Sequence, residues 1–115
     1  MDLIDIWHNP RCSKSRAALA LLEAQGHAVR VRRYLDDPPS AEELRQVRDA
    51  LGLRAIEMMR TDEALFAELG LSRDDDDARL IAAMAAHPRL IERPIVLARG
   101  RAAIGRPPER VLDIL

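Results

Sequence analysis

The chain has one cysteine, Cys12, and one lysine, Lys14, in 115 residues, and only three aromatic side chains, Trp7, Tyr34 and Phe66. A single cysteine excludes both an internal disulfide and a Cys-x-x-Cys redox pair. His8, His27 and His87 have no zinc-ligand spacing with Cys12, so no metal site is expected. Redox chemistry at Cys12 therefore needs a thiol from a second molecule. No apolar run approaches the ~20 residues that span a bilayer. The start of the chain also lacks the basic-then-apolar layout of a secretory signal, so a cytoplasmic protein without a membrane partner is expected. A formal net charge of −1 gives no whole-surface attraction to nucleic acid, and an anion site must be local.

What is present suits one globular domain over residues 1–115, expected as a monomer: 48% hydrophobic and 32% charged residues. Seventeen arginines supply nearly all the positive charge. Arginine's planar fork of donors matches oxyanions, but so many arginines make any one of them uninformative.

Leu3, Ile4, Ile6 and Trp7 read as a short strand ending at the loop-favouring His8-Asn9-Pro10. From Ser13, the spacing of Ala17, Ala18, Leu21 and Leu22 predicts an amphipathic helix stopped at Gly26. Val29 and Val31 alternate with arginines in a second strand, broken at Asp36-Asp37-Pro38-Pro39. Ser40-Ala41-Glu42-Glu43 has capping-box spacing and predicts a helix to about Leu51, ended by Gly52. Residues 54–60, 62–69 and about 75–86 read as further helical pieces, stopped at His87-Pro88. The acidic run from Asp74 to Asp77 reads as a solvated turn and helix start. Ile95-Val96-Leu97-Ala98 and Ala102-Ala103-Ile104, joined by Arg99-Gly100, form a hairpin. A closing helix starts at Pro107 or Pro108 and turns Val111, Leu112 and Ile114 inward. The order βαβ, then helices over about 40–87, then ββα gives an α/β fold with a mixed four-stranded sheet of thioredoxin-like order and an inserted all-helical segment.

Cys12 falls where the first strand hands over to the first helix. Unpaired N–H groups and the positive dipole end favour thiolate over thiol there, and equally favour a bound oxyanion. The dipole, His8 if protonated, Arg11, Lys14 and Arg16 together are expected to lower its pKa. Ser15, three residues on, is placed to turn its hydroxyl to the sulfur.

His8-Asn9-Pro10-x-Cys12-x-x-Ser15-Arg16, Tyr34-Leu35-x-x-Pro38-Pro39, Arg60, Arg93-Pro94-Ile95-Val96 and Gly105-Arg106-Pro107 followed by Val111-Leu112 together resemble the glutaredoxin-linked arsenate reductase family. The resemblance spans nearly the whole chain and is greatest to the short members without a C-terminal tail. It implies that Cys12, with His8 and Ser15 beside it, attacks arsenate held by Arg60, Arg93 and Arg106. It also implies a cis bond at Arg93–Pro94 with the proline facing the thiol. Glutathione, a co-substrate rather than a bound cofactor, would then release arsenite and leave a mixed disulfide for glutaredoxin to clear. The phosphatase-like arsenate reductases are excluded, since their Cys-x5-Arg loop would need an arginine where Ala18 stands. Two other readings remain. One is a glutathione-dependent reductase acting on another substrate; the other is a redox-sensing regulator of RNA polymerase, disfavoured by Ser15 in the place of a second cysteine.

Overall fold

The computed structural model describes residues 3–115. Its contacts divide into two units, one formed by the chain up to Asp37 together with Arg93–Leu115 and the other by Pro38–Glu92.

The first unit is built on a sheet. Strand β1 (Ile4–Trp7), helix α1 (Ser13–Ala24), strand β2 (Val29–Arg32) and the hairpin β3 (Ile95–Ala98) and β4 (Arg101–Ile104) follow in the expected order. The spatial order is β2-β1-β3-β4. β1 runs parallel to β2 and antiparallel to β3, and β3 is antiparallel to β4. This is the thioredoxin-like mixed sheet. Period-two alternation puts Ile4 and Ile6 on one face, where they share a core with Ala18 and Leu22 of α1 and with Val96, Ala98, Val111 and Ile114. The hairpin turn has positive φ at both Arg99 (53°) and Gly100 (75°), a pairing whose twist suits two antiparallel strands.

Three expectations change here. The alternation of Val29 and Val31 with arginines does not make a buried face, since in the edge strand β2 Val29 packs on the core while Val31 is 44% exposed. α1 buries Ala18 and Leu22 but leaves Ala17 exposed and Leu21 half-buried, a narrower stripe than its spacing suggested. The closing segment Pro108–Ile114 is a 3-10 helix. Behind two adjacent prolines, which lack N–H groups, it closes with i→i+3 bonds such as Arg110 N–H to the Pro107 carbonyl (3.1 Å).

The second unit is helical: α2 (Ala41–Leu51), α3 (Ala64–Glu68) and α4 (Asp77–Ala86). The capping box forms as expected, with Ser40 Oγ accepting from Glu43 N–H (3.1 Å) and Glu43 Oε1 accepting from Ser40 N–H (3.0 Å). Gly52, at φ 67°, ends α2 in the left-handed conformation. Leu44 and Val47 of α2 and Leu80, Ile81 and Met84 of α4 are buried. In the acidic run, Asp76 caps α4 by accepting from Arg79 N–H (2.8 Å). Asp77 Oδ2 accepts from Ala55 N–H (3.3 Å) and pairs with Arg48 Nη1 at the same distance. The piece expected as helix over 54–60 is a single 3-10 turn, Ala55–Met58; Met59 then extends to bridge Ile91. Among the described residues no helix is long and apolar enough to cross a membrane.

Candidate active site

The loop between β1 and α1 is tied down by its own polar groups. His8 N–H donates to the Arg32 carbonyl (2.8 Å), anchoring the loop to β2. Asn9 then organises the turn: its Oδ1 accepts from Arg11 N–H (3.0 Å) and its carbonyl from Cys12 N–H (3.0 Å). Arg16 reaches back from α1 to the Pro10 carbonyl (2.9 Å). Cys12 thus occupies the residue immediately before α1, in extended backbone with φ −94° and ψ 121°.

At 9% exposure Cys12 is nearly buried, and burial, the largest single influence, pushes its thiol pKa up. Burial is outweighed by the Ser15 N–H, the Arg93 charge, the Lys14 N–H and a hydrogen bond from the Arg93 guanidinium, which together hold the thiol below its ordinary value. The depression expected from the helix start is therefore present, but part of its source differs. The side-chain charges of Arg11, Lys14 and Arg16 are not among its causes; a guanidinium from the far end of the chain is.

Ser15 is fully buried and its hydroxyl does not serve the sulfur. It accepts from Asn9 N–H (3.0 Å) and lies 2.6 Å from His8 Nδ1. With one proton to give and two lone pairs to accept with, the hydroxyl can serve Asn9 N–H and Nδ1 at once, in either tautomer of the ring. Burial, then the charges of Arg33 and Arg16, lower the His8 pKa and so disfavour the charged ring. His8 was expected to help Cys12 only if protonated, and burial beside two cations disfavours that form. His8 and Ser15 instead brace the loop, and Ser15 reaches the sulfur through its backbone.

The Arg93–Pro94 bond is cis as expected, and Arg106–Pro107 is a second cis bond that the sequence reading did not anticipate. Arg106 Nη1 donates to the Arg93 carbonyl (3.2 Å). Arg60 belongs to the helical unit. It was read as part of a helical piece but follows the Met59 bridge in extended chain, its N–H bonded to the Leu90 carbonyl (2.8 Å) and its Nη1 paired with Glu63 (3.2 Å). Glu63 also pairs with Arg89 (2.8 Å), and that hydrogen bond is the chief cause of its lowered pKa.

This thiol, braced at a helix start within a mixed sheet, has matches among known proteins. A family model described as the ArsC family matches residues 7–114. The chain belongs to the ArsC family. Among ArsC-like relatives, an arsenate reductase of Neisseria meningitidis is 52% identical over 117 residues, with both chains covered in full. A solved structure described as an arsenate reductase from Vibrio cholerae matches with a TM-score of 0.96 and 53% identity, covering 99% of this chain and 98% of that one. An Escherichia coli protein described as uncharacterized is 48% identical, covering 97% of this chain and 96% of its own.

Two ArsC-chain residues at this site carry more than the sequence reading gave them. Asn9 was read only as a loop former, although Asn-Pro before a helix is a signal for the side-chain-to-backbone turn it makes. Gly105 stood only as the first residue of Gly105-Arg106-Pro107, yet a Cβ there would lie 2.8 Å from Pro94 Cγ. No local signal announces that approach. Among the described residues no group of three His, Cys, Asp or Glu side chains could hold a metal ion.

Proposed function

We propose that this ArsC-family chain is an arsenate reductase with Cys12 as its nucleophile. The observation that carries this reading is the place of Cys12 immediately before α1, where the Ser15 and Lys14 N–H groups and the Arg93 guanidinium lower its thiol pKa. Donors that favour a thiolate also suit an oxyanion, and they neutralise the charge that would repel thiolate from arsenate.

In the proposed sequence the Cys12 thiolate attacks arsenic(V), forming an S–As bond and expelling one oxygen, which leaves as water once protonated. A glutathione thiolate then attacks the Cys12 sulfur. The S–As electron pair stays on arsenic, which departs as arsenite, and the two sulfurs that supplied the two electrons remain joined as a Cys12–glutathione disulfide. A glutaredoxin thiolate takes the glutathione and frees Cys12. An external thiol is required because the chain has no second cysteine. The glutathione requirement also suits a reducing cytoplasm. Arg93, Arg106 and Arg60 are proposed to hold the oxyanion. For Arg60 the support is the family resemblance alone.

A coupled assay tests the reading: arsenate-dependent NADPH oxidation with glutathione, glutaredoxin and glutathione reductase. The native chain should exceed a Cys12→Ser background by orders of magnitude. No arsenate turnover, with turnover of glutathionylated substrates instead, would move the activity to a different glutathione-dependent thiol reductase.

A further inference from the structure

The Arg93–Pro94 segment is held from the other side of the hairpin. Ile95 of β3 pairs with Ile104 of β4, and the ladder continues one step past the strands, where Gly105 N–H donates to the Pro94 carbonyl (2.9 Å). A Cβ at Gly105 would meet Pro94 Cγ at 2.8 Å, Val111 Cγ1 at 3.1 Å and Pro94 Cδ at 3.3 Å, so only glycine admits the proline ring this closely without a shift. The ring and the backbone behind it have little room to give, because Val111 is fully buried. The next residue adds a second tie, from Arg106 Nη1 to the Arg93 carbonyl (3.2 Å).

We propose that Gly105 and Arg106 are positioning residues: they clamp the Arg93–Pro94 backbone so that the Arg93 guanidinium stays on the Cys12 sulfur. This deepens the arsenate reductase reading, on which it rests for its biological purpose, but the clamp itself is measurable without arsenate. The role given to Arg106 differs from oxyanion binding alone. An arginine that only met the oxyanion would leave the free enzyme's thiol unchanged, whereas a clamp acts before any substrate arrives.

The test is iodoacetamide alkylation of Cys12 against pH in the full chain without arsenate, for the native protein and for Gly105→Ala, Arg106→Ala, Arg93→Ala and the Gly105→Ala/Arg93→Ala pair. Gly105→Ala and Arg106→Ala should each move the inflection upward by about half a unit or more, toward the ~8.5 of a free thiol. Once Arg93 is gone, Gly105→Ala should add no further shift, since residues acting through one contact are not additive. Ile114→Ala, which loosens the same core outside the named Gly105 contacts, should lower the denaturation midpoint and leave the inflection in place. If Gly105→Ala fails to fold, Arg106→Ala alone decides. An unchanged inflection in folded Arg106→Ala, or an undiminished Gly105→Ala shift in the Arg93→Ala background, would overturn the clamp. Neither result depends on arsenate turnover, so loss of the clamp and loss of the reductase reading are separable.

Discussion

In the sheet unit the decisive contacts join residues far apart in the chain: Arg93 meets Cys12, Gly105 meets Pro94, and Ile6 pairs with Val96. In the helical unit many polar ties are local, as in Ser40 with Glu43, Arg60 with Glu63 and Asp76 with Arg79. The first arrangement gathers chemistry from separate segments onto one atom. The second builds a stable body from capped helices and a packed interior of Leu44, Val47, Leu80 and Met84. Reactivity and stability should therefore respond to different substitutions.

Cys12→Ser should show the largest effect, complete loss of arsenate reduction with an unchanged circular dichroism spectrum. Residual turnover would mean that the nucleophile lies elsewhere. Leu44→Ala, in the helical core, should cost about 2–5 kcal/mol in urea unfolding while the Cys12 alkylation inflection of the folded protein stays put. A moved inflection would break the separation between the two units. Arg93→Ala should do the reverse. Losing a charge-assisted bond worth about 1.5–3 kcal/mol lowers arsenate turnover roughly ten- to over a hundredfold and raises the inflection. Arg93→Lys should remain poor because an ammonium keeps the charge and loses the planar fork.

The same division explains what could be read in the sequence. Ser40 with Glu43, Gly52 and the Asp76 cap are local patterns in which the residues that announce the structure are those that make it. The strand order and the placement of Cys12 at a helix start were legible for the same reason. The charge state of His8 could not be read locally because it is set first by burial and then by Arg33, 25 positions away, and by Arg16. The Ser15 hydroxyl was turned to the sulfur because residues three apart on a helix share a face, yet its partners are Asn9 N–H and the His8 ring at the preceding strand end. Arg60 read as helical because the apolar spacing of 54–60 continues past Met58, and only the bridge to Ile91 ends it.

Two smaller effects sharpen the contrast. Ser40→Ala removes the N-terminal cap of α2 and should cost about 1 kcal/mol, read as a lower urea midpoint with unaltered Cys12 alkylation. His8 should contribute a pH dependence to the sheet unit. Its folded pKa lies below the unfolded value of ~6.5, so the unfolded chain binds more protons and stability falls as pH drops through that value. Between pH 7 and 5, the urea midpoint of the native chain should fall more steeply than that of His8→Gln. Equal slopes would show that His8 ionises freely in the fold.

Because the Ser15 N–H that lowers the Cys12 pKa belongs to a helix start and the Arg93 charge that adds to it is contributed 81 positions later in the chain, the activated sulfur is a property of the finished molecule. On a ribosome, or in a denatured copy, α1 is a 12-residue helix, which on its own is marginal in water, and Arg93 is absent or adrift. The sulfur is then an ordinary thiol, mostly protonated at neutral pH and slow toward oxidants and electrophiles. The rate at which Cys12 takes a label becomes a clock for the moment the last strands close.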